Sequence, residues 1–216
     1  YISSCVTKNL DYLIVGEKKN IPYLPQRQNT GYAGGANIGI RGALKKNSDW
    51  VVIVNQDVEM SKRAMERLEK LLSTLPPGVY GPFGGELDPR RWSSYLSERS
   101  RIVDYISGSF LAIHKQVCAD VGMFYEPYFM YYEDVDFSLR AQKAGFPIQH
   151  LSLVGFRHQS NANNKSNMKE HYLARNHLLF VERNAPWWVK VYELLRIPKT
   201  IFDHNTRKHT GALLGT

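Results

Sequence analysis

Glu133, Asp134 and Asp136 put three carboxylates into four positions of YYEDVDFSLR, directly behind Tyr131 and Tyr132 and ahead of Arg140. Acids at a helix start are favoured by the macrodipole, each by about 0.3–1 kcal/mol when exposed, which accounts for one or two of them. Asp136 and Arg140 stand four apart, so on a helix they pair and serve structure. Glu133 and Asp134 are left over. Behind the aromatic run Tyr125, Tyr128, Phe129, Tyr131 and Tyr132 they would sit at the mouth of an apolar pocket, where partial desolvation raises a carboxylate's basicity enough for proton abstraction. The aromatics themselves suit stacking on sugars, or they are core.

A second acid, Asp57, follows the apolar, β-branched run Trp50 to Val54 as Asn55-Gln56-Asp57. In open α/β sheets ligands bind beyond the carboxyl ends of strands, so this carboxylate is placed to hold a divalent cation on a diphosphate. A plain strand-end turn would use the same residue types. His158, in FRHQS, could complete a metal site only if its strand ends beside Asp57. The stretch NTGYAGGANIG, residues 29 to 39, carries Gly31, Gly34, Gly35 and Gly39 into a helix. Glycines and free N–H groups there would suit a phosphate or sugar, while tight helix-sheet packing would need the same glycines. The loop matches neither a P-loop nor G-x-G-x-x-G.

The elements that must carry these groups alternate. Strands are expected at Asp11 to Val15 and Ile21 to Leu24, then the glycine loop, a helix running to Asn47, and the Trp50 to Val54 strand, whose unbroken apolar character fits a parallel sheet covered on both faces. Ser61 caps a helix with Met65, Leu68, Leu71 and Leu72 on one stripe. This is the βαβ rhythm of a doubly wound sheet. Residues 84 to 104, polar and rich in Arg and Ser, read as an irregular surface loop. Further on, a strand is expected at Ser109 to Ile113, helices at Lys115 to Val121 and from the acidic stretch to Gly145, and strands at Ile148 to Leu151 and Val154 to His158. Two helices, 168 to 183 and 187 to 201, break at Asn184-Ala185-Pro186.

Composition narrows the class. The 216 residues are 43% hydrophobic and contain no stretch long and apolar enough for a membrane span. Two distant cysteines, Cys5 and Cys118, argue for a reducing compartment, with the cytosol as default. The net charge of +8 points to anionic partners: nucleotides, nucleic acid or a phospholipid surface. A basic nucleic-acid-binding domain would explain that charge but would not require clustered acids behind aromatics. In PWWVKVYELLRIPKTIF, Trp and Leu mix with Lys190, Arg196 and Lys199, as in a helix lying on an anionic membrane or a helix packed on the core with basic edges.

In order, N-x-G-Y-A-G-G-x-N-x-G, V-V-I-V-N-Q-D, S-G-S-F, V-G-M-F-Y-E-P-Y-F-M-Y-Y-E-D-V-D-F-S-L-R, R-H-Q-S and A-R-N-H resemble the family 2 inverting glycosyltransferases, especially their bacterial rhamnosyltransferase-type branch. The resemblance implies a GT-A fold, an α/β Rossmann-like, mostly parallel sheet flanked by helices, over residues 1–160, with a C-terminal helical extension over 161–216. It implies transfer of a sugar from a nucleotide-diphosphate donor to a saccharide or lipid-linked acceptor, with Mg²⁺ or Mn²⁺. The cytosol expected from the cysteines would become the inner face of the plasma membrane if the last helix lies on it. A non-catalytic carbohydrate-binding remnant would keep the same aromatic pocket.

Residue by residue, the resemblance makes Asp134 the general base, with Glu133 beside it in the catalytic pair. Asn29, Gly35, Asn37, Asn55 and Asp57 fall on the donor side, and Asp57 and His158 on the metal. Ser107, Gly108, Tyr132 and Arg175 fall on the acceptor side. The family's opening strands, ending in T-Y-N and D-N, are not recognisable in residues 1–28, so truncation at the N-terminus is expected. Position 55 carries Asn where the family motif has an acid.

Overall fold

The computed structural model describes residues 3–6, 12–15, 23–24, 28–55, 57–96, 103–152, 155–158 and 167–198. Its centre is strand β4 (Trp50–Asn55). Successive side chains of a strand point to opposite faces, and here every face is covered. Val51 and Ile53 enter one core with Leu111, Ile113, Val79, Ala36, Ile40 and Phe137, whereas Trp50, Val52 and Val54 enter a second with Tyr80, Phe110, Leu68 and Leu72. The first core is roofed by helices α1 (Gly31–Lys45), α3 (Lys115–Val121) and α4 (Glu133–Lys143), the second by α2 (Lys62–Leu72). Ser61 caps α2 as the sequence implies, accepting from the Ala64 N–H at 3.2 Å.

The α/β class expected from the sequence is the one observed. Seven strands lie in the order β11-β6-β10-β4-β1-β2-β3, where β1 is Ser3–Val6, β2 Tyr12–Val15, β3 Tyr23–Leu24, β6 Val79–Gly81, β10 Phe110–His114 and β11 Ile148–His150. The pairing is mixed. β11–β6 and β2–β3 are parallel, but β4 runs antiparallel to both of its neighbours, β10 and β1. The parallel surroundings read from the apolar run at 50–54 are therefore corrected: burial on both faces makes a strand apolar throughout, whichever way its neighbours run.

Two expected boundaries also shift. α1 begins at Gly31, so most of the glycine stretch is helix and not loop. Residues 84–104, read as an irregular loop, hold β7 (Gly84–Leu87) and β8 (Ser94–Leu96), which form a three-stranded antiparallel sheet with β9 (Tyr105–Ile106). Short strands of three or four residues rich in Gly, Ser and Arg carry almost no periodic signal. A separate ribbon pairs β5 (Val58–Met60) with β12 (Phe156–His158). α5 (Asn167–Asn184) and a further helix, α6, over residues 187–198, complete the described chain, and residues 199–201 of the expected last helix lie outside it.

Candidate active site

Three segments meet at the turn before β10. Phe110 pairs with Val54 at the carboxyl end of β4, and the Asn55 N–H donates to the Ser109 carbonyl at 2.9 Å. One residue back, the Gly108 N–H donates to Asp134 Oδ2 at 2.8 Å. From the third side the Tyr32 hydroxyl donates to the Gly108 carbonyl, and a Cβ at Gly108 would stand 2.9 Å from that hydroxyl. Ser107 and Ser109 share a hydroxyl–hydroxyl bond of 3.0 Å. The strand end that leads to Asp57 and the helix start that carries Asp134 thus share one turn.

Asp134 is partly exposed, and its second oxygen accepts from the Val135 N–H at 2.8 Å. Burial raises its carboxyl above the ordinary aspartate range, against the lowering by the Gly108 and Val135 N–H groups and its own. Glu133 is 4% exposed, and its Oε2 has no hydrogen-bond partner among the described residues. Burial first, and the neighbouring Asp134 second, push it well above the ordinary glutamate range. Of the two, Asp134 is the one a ligand can reach.

The backbone that delivers them is strained. Phe129, Tyr131 and Tyr132 all have positive φ, at 64°, 68° and 73°. At Phe129, ψ is −60° and the Met130 N–H bonds to the Tyr128 carbonyl at 2.7 Å, a γ-turn of the rarer hand. Each such residue costs on the order of 1–3 kcal/mol, so the surroundings must over-determine the shape. They do so through Asn176, which is fully buried on α5 and whose Nδ2 donates to the carbonyls of Tyr128, Met130 and Tyr131 at 2.8, 2.6 and 2.8 Å. Arg175 adds a bond to the Pro127 carbonyl at 2.9 Å, and the Phe129 ring stacks on Tyr172 at 5.1 Å.

Asp136 is 0% exposed, pairs with Arg140 as its spacing implied, and also meets Arg183 at 3.4 Å and the Asn184 amide at 2.8 Å. Asn176, Arg183 and Asn184 lie 40 or more residues away from the corner they fix, and nothing local in the sequence marks the link between them. Ser94 is a further residue that sequence reasoning passed over. It hydrogen-bonds both Tyr105 and Tyr132, two buried rings that also feel the charge of Asp134.

Of the residues expected on the donor side, Asn29 is exposed and its Oδ1 accepts from the Gly31 N–H at 3.0 Å, closing the start of α1. The Ala33 N–H is taken by the Phe129 carbonyl at 3.1 Å. Two of the N–H groups an anion would use are therefore engaged inside the protein. Gly31 has φ +70°, and a Cβ there would collide with Phe129, so this glycine answers to close packing. Gly35 is partly exposed on the second turn of α1. Asn37 is 2% exposed and braces the 124–126 segment, donating to Phe124 O at 2.9 Å and Glu126 Oε1 at 3.0 Å and accepting from the Phe124 N–H at 3.0 Å.

Across the ribbon, His158 is the register partner of Val58, the residue after Asp57. The strand of the expected histidine does end beside the expected acid. Among the described residues no group of three or more His, Cys, Asp and Glu is gathered as a metal cage. One carboxylate with a histidine strand alongside suits instead a hard cation that takes most of its ligands from a bound diphosphate.

No protein-family model matches the chain. Among curated proteins it is 27% identical over 155 residues to the low-salt glycan biosynthesis hexosyltransferase Agl10 of Haloferax volcanii, covering 62% of this chain and 50% of that protein. It is also 27% identical over 214 residues to the N-acetylglucosaminyl-diphospho-decaprenol L-rhamnosyltransferase of Mycobacterium tuberculosis, covering 78% of this chain and 69% of that one. The chain thus spans about half the length of the first of these relatives. Among solved structures, the catalytic domain of Drosophila β1,4-galactosyltransferase 7 in complex with xylobiose aligns with a TM-score of 0.42 at 18% identity, over 69% of this chain and 63% of that one. A variant of that enzyme with manganese, UDP-Gal and xylobiose aligns with a TM-score of 0.42 at 16% identity, over 71% and 66%. By sequence, then, the relatives of this chain are glycosyltransferases, one a hexosyltransferase of glycan synthesis and one a rhamnosyltransferase.

Proposed function

We propose that the chain transfers a sugar, with rhamnose the first candidate, from a nucleotide-diphosphate donor to a saccharide or lipid-linked acceptor, with inversion, in cell-surface polysaccharide synthesis on the cytoplasmic side of the membrane. One observation carries this reading: Asp134, a raised and accessible carboxylate, is hydrogen-bonded to the same three-residue turn that receives the Asn55 backbone at the end of β4. The L-rhamnosyltransferase relative supports the choice of sugar and of a polyprenol-diphosphate acceptor.

In this mechanism Asp134 takes the proton of the acceptor hydroxyl as that oxygen attacks the anomeric carbon from the face opposite the diphosphate. The Gly108 and Val135 N–H groups aim the carboxylate, and the strained 129–132 backbone keeps it there. Glu133, buried beside it, has its carboxyl raised by burial and by the Asp134 charge, which favours its neutral form and a single full negative charge at the site. Asn29, Gly35, Asn55 and Asp57 line the donor side, while Asn37, buried on the same helix as Gly35, braces the 124–126 segment. Ser107, Gly108, Tyr132 and Arg175 border the acceptor side. Asp57 and His158 would hold Mg²⁺ or Mn²⁺, which when bound supplies positive charge against the departing diphosphate.

The test is a thermal-shift series of nucleotide-diphosphate sugars with and without Mn²⁺, followed by a transfer assay with the donor that stabilises most. Cation-dependent stabilisation by one sugar nucleotide, with transfer lost in Asp134→Asn, is the expected result. Stabilisation by free sugars alone, with no transfer from any donor, would replace the enzyme by a carbohydrate-binding module.

A further inference from the structure

α6 is built with two apolar faces, and among the described residues only one is packed. Val189, 0% exposed, packs with Val181, Ala185 and Trp92, and the buried Glu193 lies close enough for its charge to act on Tyr132. On the outer side Trp187, Leu194 and Leu195 are 76%, 65% and 74% exposed, with Trp188 and Val191 about half exposed between them. At 100° per residue these five side chains fall within an arc of roughly 120°. That is an amphipathic stripe turned outward, and α6 cannot roll to bury it without tearing out Val189 and Glu193.

We infer that this face lays the protein on an anionic bilayer surface. No acid lies on the outer arc, and Lys190, exposed, borders one edge of it, while Arg196, paired with Glu193 at 3.3 Å, lies toward the packed side. The sequence beyond adds Lys199, Arg207 and Lys208 against Asp203 alone, and the whole chain carries +8. Trp and Leu on one side, with a lysine at the edge and further basic residues following in the sequence, is the composition of an interfacial helix, and basic charge adds attraction to anionic headgroups. A second copy of the chain is the poorer occupant, because a two-fold contact through this face would bring two sets of like charges together. Among the described residues no helix is long and apolar enough to cross a membrane, so the helix lies on the surface. Its buried Glu193 lies within electrostatic reach of Tyr132, two residues from Asp134. On the transferase reading, docking therefore holds the base near the interface where a lipid-linked acceptor is presented.

The experiment uses the full chain and vesicles of phosphatidylcholine with and without phosphatidylglycerol. Co-sedimentation with the anionic vesicles, weakened by salt, is expected. The exposed double substitution Leu194→Asp/Leu195→Asp should weaken it roughly tenfold or more while leaving the melting temperature unchanged. Brominated lipid should quench tryptophan emission in the native chain and not in Trp187→Phe/Trp188→Phe. Equal binding by the double variant, no binding by the native chain, or a dimer that the double variant dissolves would each overturn the inference. Vesicle binding is read without any sugar, so it stands or falls apart from the enzymatic proposal. If both hold, the double variant loses transfer onto a vesicle-borne acceptor and keeps transfer onto a soluble one.

Discussion

The corner from Tyr128 to Asp136 and the strand end from Asn55 to Val58 meet at the same turn but are fixed by different means. The strand end is an extension of the sheet: backbone pairing with Ser109 on one side and with His158 across the ribbon on the other sets its course. The corner is held against its own backbone preferences by buried side chains, Asn176 from below and the Asp136 network from the side. A cation with several free ligands tolerates a loosely specified acid, whereas a general base must be aimed to within hydrogen-bonding reach of one hydroxyl. The two means of fixing match the roles proposed for Asp57 and Asp134.

The sharpest way to break this contrast is Asp134→Asn, which preserves shape and hydrogen-bond acceptance at one oxygen but removes the base. Turnover should fall by about 10³-fold or more, with donor-induced thermal stabilisation retained. If donor binding falls instead and residual turnover is normal, Asp134 belongs to the donor side. Asp57→Asn should lower cation-stimulated transfer by roughly 100-fold, while stability in denaturant titration stays within about 0.5 kcal/mol. A large stability loss there would make the strand end as structural as the corner.

Asn176→Ala removes the donor shared by three carbonyls of a strained backbone, two of them in buried bonds. It should cost about 2–4 kcal/mol in unfolding free energy and lower kcat more than it raises KM. The smallest effect concerns Glu133. Its carboxyl is raised in the folded protein, so the folded state binds the proton more tightly than the unfolded chain, and stability declines as pH rises from the unfolded value near 4.3 towards the folded one. Glu133→Gln should therefore raise the melting temperature by a few degrees at neutral pH and change little below about pH 4. A loss of stability at neutral pH would mean that the charged form is the one the fold holds.

Much of this was legible beforehand. The helix at 115–121, the Asp136–Arg140 pair and the placement of Asp57 at a strand end follow from spacing alone, because each depends on neighbours within a few residues. The ribbon that brings His158 to Val58 could be stated only as a condition, since it joins positions 100 residues apart. The glycine stretch left two readings open, because small residues serve close packing and ligand approach alike, and the collision of a Gly31 Cβ with Phe129 assigns that one glycine to packing.

The helices and the long central strand, the pairing of acids with aromatics and the basic, tryptophan-bearing last helix were therefore set by the sequence itself, through periodicity and local charge. Tertiary structure decided which acid is reachable and which is buried, that β4 has antiparallel neighbours, that Asn176 locks the corner, and that α6 shows an unmatched face to its surroundings. These are properties of what stands opposite a residue in space, and a chain that returns from 40 or 100 positions away writes no local sign of where it will land.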